Sequence, residues 1–144
     1  MLRKAAANGW RGDEMKAVCV LLPMVLAVFG CASEVTRHPA DLQRARQPPD
    51  RLFVASQTVP VRLDSGYDRS IRAGTEFVDA GGIAQGDILK PTNANFTVEG
   101  AHMHEAYLVV HMGRLVGFYL PVEKAFSPLA IPVALPLEIK ELRK

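Results

Sequence analysis

Two histidines separated by one residue are the side chains in this sequence best suited to bind a metal. His102 and His104 flank Met103, and residues two apart on a β-strand share a face. Two imidazoles on one face suit Zn²⁺ or Cu²⁺. A catalytic zinc site needs three protein ligands and a structural site four, and His111 has the wrong parity to be the third. A periplasmic metal-binding protein is therefore one hypothesis, and no metal is assigned.

Sequence motifs for hydrolytic catalysis are missing. No Gly-x-Ser-x-Gly occurs. A metalloprotease motif beginning at His104-Glu105 would need a second histidine where Leu108 stands. Four aspartates of the predicted β domain sit at turn positions, where aspartate is expected for turn chemistry alone; they are Asp64, Asp68, Asp79 and Asp87. A hydrolase of envelope polymers is therefore the weakest hypothesis; we assign no catalytic residue and predict that the protein is not an enzyme.

A short apolar stretch near the amino terminus has the features of an export signal. Lys16 follows Met15, and residues 17–29 are apolar except for Pro23. This stretch is shorter than the roughly 20 apolar residues that span a bilayer. We interpret Met15 as the initiator and residues 1–14 as a misassigned leader, with a long basic region starting at Met1 as the alternative.

The residues that close this stretch resemble the lipobox of bacterial lipoproteins. Val28, Gly30 and Cys31 fit the pattern, and Phe29 stands where a small residue is usual. The resemblance implies cleavage between Gly30 and Cys31, diacylglycerol on the Cys31 thiol and an acyl chain such as palmitate on the new amino terminus. Two or more chains make a stable anchor. Because Ala32 rather than Asp follows, the resemblance favours the periplasmic side of the outer membrane.

Removal of the signal segment changes the charge and the thiol content. Residues 1–30 carry four basic and two acidic residues, so the net charge falls from +2 to zero. A neutral domain without a basic stripe has no surface that would attract nucleic acid. Cys19 is removed and Cys31 would be lipidated, so neither a disulfide nor a cysteine nucleophile is expected.

Composition divides the chain into four segments. The second is polar and proline-rich, and such a segment buries too little apolar surface to order itself. We predict a leader and signal peptide at 1–30, a lipidated cysteine with a flexible tether at 31–50, a β domain at 51–131, and a Pro-rich, charged tail at 132–144.

The middle of the chain predicts an all-β domain, a small barrel or sandwich of SH3-like size. Val59, Val61 and Leu63 alternate with polar residues or proline, as in a half-buried strand. Further short apolar runs are separated by turn signals, and we expect Gly81-Gly82 to break one of them. No helical periodicity of useful length follows Cys31.

The strongest local signal is a hairpin whose two apolar strands meet at a two-residue turn, Met112-Gly113. This turn would place Val110 opposite Leu115 and Tyr107 opposite Phe118. Because both faces of the two strands are apolar, we expect them at the centre of the domain. The aromatic side chains around the hairpin are predicted to be core; they are Tyr107, Phe118, Tyr119 and Phe126.

Four stretches of the β domain resemble a group of small uncharacterised proteobacterial lipoproteins. They are residues 85–91, 96–100, 104–110 and 115–121, within a resemblance that covers about 57–130. The resemblance implies an envelope lipoprotein with a small β domain. It brings no activity, cofactor or catalytic residue.

These observations favour a membrane-anchored envelope lipoprotein that acts as a non-enzymatic accessory or protein-binding module. The expected partners are the membrane, through Cys31, and another envelope protein; no cofactor and no nucleic acid are expected. We predict the contact surface near His102, His104 and Arg114, and the first two would also be the ligands of the metal-binding alternative.

Overall fold

The computed structural model describes residues 33–45 and 49–142. The signal segment, with Gly30 and Cys31, lies outside the described residues, so cleavage and lipidation stay predictions. Within the described ranges, no helix is long and apolar enough to cross a membrane.

Thirteen strands account for the regular structure of the described residues. They are β1 (His38–Pro39), β2 (Gln43–Arg44), β3 (Arg51–Ala55), β4 (Val59–Arg62), β5 (Asp68–Ile71), β6 (Glu76–Ile83), β7 (Gly86–Pro91), β8 (Thr97–Glu99), β9 (Met103–Glu105), β10 (Tyr107–His111), β11 (Arg114–Leu120), β12 (Ala125–Ala134) and β13 (Leu137–Glu141).

Nine of these strands form one antiparallel sheet. Its order is β1-β12-β11-β10-β7-β6-β3-β13, and β2 pairs with β6 beside this path. The hairpins β4–β5 and β8–β9 form two further two-stranded sheets. The prediction of a small all-β domain is therefore confirmed, and β10 and β11 lie in the interior of the large sheet.

The larger hydrophobic core lies between one face of the main sheet and the two small sheets. Ile71 and Val98 from the small sheets join Phe77, Leu108 and Phe118 from the main sheet in one buried cluster. The alternation predicted for β4 is confirmed by its burial, with both valines buried and the other two residues exposed. The two layers hold together because each supplies an apolar face that neither could leave in water.

A second core covers the opposite face of the main sheet. Ile88, Val109 and Tyr119 are buried there, and Ala40 and Leu42 pack against them. These last two residues belong to residues 38–44, hereafter the strap, whose ends pair with β12 through β1 and with β6 through β2. The strap thus crosses the second face.

Part of the predicted tether at 31–50 is instead packed on the domain. Val35 is buried in the larger core, and the strap is paired with the sheet. The polar composition of this segment did not reveal that Val35, Ala40 and Leu42 would pack against the two cores.

The domain also extends beyond the predicted boundary at residue 131. The prolines of β12 run extended, as expected, but the chain continues into the sheet at β13, which pairs with β3 from Leu137↔Ala55 to Glu141↔Arg51. The segment predicted as a tail therefore supplies the last strand of the main sheet, because its alternating leucine and isoleucine side chains give that strand an apolar face.

The β10–β11 hairpin has the predicted turn and only part of the predicted register. Met112 and Gly113 have φ of 50° and 74°, which suits a type I′ turn. Val110 pairs with Leu115 as predicted. The prediction for Tyr107 was wrong: it pairs with Tyr119, because Val116 is an extra, unpaired residue that shifts the register by one.

Gly81-Gly82 does not break the chain where a break was expected. Strand β6 runs through both residues, with a bulge between Asp79 and Gly81. At Gly81 the φ is 119°, and a Cβ would collide with the carbonyl oxygen of Gln43 in the strap. Glycine is therefore required there for close backbone approach and not for a turn.

Replacing Gly81 by alanine should loosen the strap. We expect Gly81→Ala to lower the free energy of unfolding more than Gly74→Ala, a matched control with φ of 82° and open space around its Cβ. The control should lose about 1–3 kcal/mol from backbone strain alone. Urea unfolding measures both losses, and trypsin should cut at Arg44 sooner in Gly81→Ala. Equal losses with an equally resistant strap would contradict close packing of the strap on Gly81.

Candidate functional site

His104 is the buried histidine of the predicted contact surface. It is the middle residue of β9 and is 9% exposed. Its Nδ1 atom forms a hydrogen bond with the Glu123 carboxylate, which lies in the turn that follows β11. The pair therefore ties a small sheet to the end of the central hairpin.

His102 and Arg114 take no part in the contact between His104 and Glu123. His102 is exposed in the bend before β9, and its carbonyl oxygen accepts a hydrogen bond of 3.0 Å from the Gly100 N–H. Arg114 begins β11 and donates from Nη2 to the Pro132 carbonyl oxygen at 2.6 Å. Glu123 follows the other end of the same strand, and six strand residues span about 20 Å. The structure does not bring Arg114 together with the histidines.

The electrostatics of the pair favour an ionised Glu123. Burial raises the pKa of this carboxyl group, but its hydrogen bonds to His104 and to its own backbone, with the charges of His104 and Arg37, outweigh burial and lower it. Oε2 of Glu123 is buried without a hydrogen-bond partner among the described residues. A buried carboxylate of this kind stays charged only while its partners remain in place.

The chemistry available to this pair is that of an oriented imidazole. A carboxylate on Nδ1 fixes a histidine in hydrolases, where the other nitrogen activates a hydroxyl or thiol. Among the described residues, no serine or threonine hydroxyl is hydrogen-bonded to His104. In that part of the chain, no three His, Cys, Asp or Glu side chains gather to hold a metal ion either.

A groove between the β4–β5 hairpin and β12 was not predicted from the sequence. Its volume is about 850 Å³, and its lining includes Val61, Leu63 and Val133. Ile131, on β12, stands 77% exposed in the same groove. The N–H of Ala130 donates to Oδ1 of Asp64 at 2.9 Å, which joins the two walls.

The rim of this groove is charged. Arg62 Nη1 lies 3.1 Å from the Asp68 carboxylate, with both side chains exposed, and Thr36 lies at the rim as well. No sequence signal could reveal the groove, because its walls are about seventy residues apart in the chain. An apolar floor with a charged rim is the usual anatomy of a protein-binding surface.

The aromatic side chains around the central hairpin are mostly core, as predicted. Phe118 is buried and stacks on Phe96 with ring centroids 5.3 Å apart. Tyr119 and Phe126 are buried in the second core. Tyr107 is half-buried, and the Lys90 ammonium lies 5.6 Å from its ring centroid. Phe118, Tyr119 and Phe126 therefore belong to the core, whereas Tyr107 keeps part of its ring exposed.

The lowered pKa of Glu123 predicts how its contribution to stability depends on pH. The ionised form is favoured in the folded state, so this stability is present above the ordinary pKa of 4.5 and is lost as the pH falls through the folded value. Glu123→Gln should therefore be less stable than the parent by about 1.5–3 kcal/mol at pH 7, a typical value for a hydrogen bond to a charged group. This difference should shrink towards pH 3.

Urea midpoints at both pH values measure that difference. Glu105→Gln is the matched control, because Glu105 is exposed on the same strand as His104, and it should change little at either pH. A Glu123→Gln deficit that stays constant between pH 7 and pH 3 would contradict a stabilising contact between ionised Glu123 and His104.

Comparison with known proteins identifies no relative of this chain. No protein family matches the chain, and neither a curated protein nor a solved structure matches it significantly. Any proposal for its function must therefore rest on the residues and geometry of the chain itself.

Proposed function

We propose that this protein is a lipid-anchored envelope protein whose β domain binds another protein and catalyses no reaction. The observation that carries the proposal is the groove beside β12, in which Ile131 is 77% exposed above buried Val61 and Leu63. Covering such apolar surface is favourable by roughly 25 cal/mol per Å². A partner side chain that fills the groove would bury it.

The groove favours recognition of side chains over addition of a strand. Pro128 and Pro132 of β12 have no N–H, and the N–H of Ala130 is bonded to Asp64. A partner segment therefore finds few backbone donors along this wall. It would instead insert apolar side chains between the charged residues of the rim, such as Arg62 and Asp68.

The position of the groove in the chain suits a partner at the membrane. Thr36 lies at its rim, and Val35 is already buried in the core. Only four residue steps separate Cys31 from Val35, which span at most about 14 Å. If Cys31 carries lipid, the domain is held close to the membrane surface, and tethering raises its effective concentration towards membrane-bound neighbours.

The anchor is tested by metabolic labelling with an alkyne fatty acid. The parent chain should be labelled and recovered with membranes, whereas Cys31→Ser should lose the label. Cys19→Ser is the matched control, because Cys19 lies in the segment removed on processing, and it should be labelled like the parent. Equal labelling of the parent and Cys31→Ser would refute the anchor.

The groove is tested by site-specific photocrosslinking in cells. A photoreactive residue at position 131 should give one discrete product heavier than the protein. Position 122 is the matched control, since Val122 is also an aliphatic side chain 77% exposed but follows β11, outside the groove. The product should be absent there. The same product from both positions, or none from position 131, would contradict groove binding.

A further inference from the structure

The two ends of the main sheet are protected to different degrees. At one end, β1 is two residues long and includes Pro39. The neighbouring strand β12 contains Pro128 and Pro132, and its Ala130 N–H is taken by Asp64. Short strands and prolines of this kind prevent edge-to-edge pairing.

The opposite end, β13, lacks both of these protections and carries only charged side chains against edge pairing. It contains no proline, and among the described residues no strand lies on its outer side. Even-numbered residues at both ends of β13 are hydrogen-bonded towards β3: the Ser56 N–H donates to the Pro136 carbonyl oxygen, and the Leu142 N–H donates to the Asp50 carbonyl oxygen. Because backbone groups alternate along a strand, the N–H and C=O of Leu137, Ile139 and Glu141 point outward.

From this edge we infer that two copies of the chain join through β13, antiparallel about Ile139. In this register Ile139 faces its own copy, and Leu137 faces Glu141 of the other copy. These are the residues with outward backbone groups, so each such pair can exchange two hydrogen bonds. The main sheet then continues from one copy into the next.

The charges of β13 select this register. Pairing about Ile139 places Glu138 of each copy opposite Lys140 of the other, and opposite charges across a ladder are favourable. Pairing about Glu138 or about Lys140 would place each of these residues opposite its own copy. Like charges directly opposite are destabilising. The strand is therefore complementary to itself in one register.

The exposed apolar side chain of β13 lies at the centre of the proposed contact. Ile139 is 59% exposed and pairs with Phe53, which packs against the larger core together with Leu137. Residues directly opposite share a face of the sheet. Joining two copies would place two Ile139 side chains next to each other and extend that core face across the interface.

Cysteine crosslinking of the full chain in membranes tests the inference. Residues facing each other in a hydrogen-bonded antiparallel pair have Cα atoms about 5.5 Å apart, within the range for a disulfide. Ile139→Cys should therefore give a product of twice the protein's mass on a non-reducing gel. Glu141→Cys is the matched control, because its own copy would be four residues away in this register. The parent chain, with only Cys19 and Cys31, is the blank.

Charge reversal tests the register. Adding Glu138→Lys to Ile139→Cys should reduce the dimer to the level of the blank, and adding Lys140→Glu as well should restore it. The inference is overturned if Ile139→Cys gives no dimer, if Glu141→Cys gives as much, or if charge reversal has no effect. A product of any other mass would show that the edge pairs with a different protein and would overturn it too.

Discussion

The burial of both faces of the central strands is the constraint on which the rest of the structure depends. Leu108 and Val109 are neighbours on β10, and both are fully buried, one in each core. A strand that is apolar on both sides cannot face water on either side. The two small sheets cover one face and the strap covers the other. The strap's docking in turn requires a glycine at position 81.

Because the centre of this domain is filled, any surface that could bind another molecule lies at its periphery. The centre of the domain is packed with aliphatic and aromatic side chains, and the buried His104 is bound to Glu123. Apolar surface remains exposed at Ile131 in the groove and at Ile139 on the sheet edge. Ile131 belongs to β12 and Ile139 to β13, so a groove partner and a second copy of the chain would contact different strands.

Local features of this fold could be predicted from the sequence, and long-range ones could not. The Met112-Gly113 turn fixed the Val110–Leu115 pair, because a two-residue loop determines the first pair of a hairpin. The bulge at Val116 has no sequence signal, and it shifted every later pair. The strap and β13 were placed outside the domain because a polar composition does not show which few apolar side chains find a partner far along the chain.

For the candidate site, too, local features could be predicted from the sequence and long-range ones could not. Sequence spacing identified His104 as notable but could not identify Glu123, nineteen residues later, as its partner. It grouped Arg114 with the histidines, although the length of β11 separates them. The groove is formed by strands about seventy residues apart, and no local pattern marks such a contact.

Urea unfolding of Leu108→Asp and Val109→Asp tests the two-faced core most directly. If both faces are core, each variant should lose several kcal/mol, because an unpaired buried charge is costly on either side of the strand. Total stability is about 5–15 kcal/mol for a domain of this kind, so both should unfold at much lower urea concentrations than the parent. If Val109→Asp unfolds at the parent's urea concentration while Leu108→Asp does not, the second face is open to water and the strap does not cover a core.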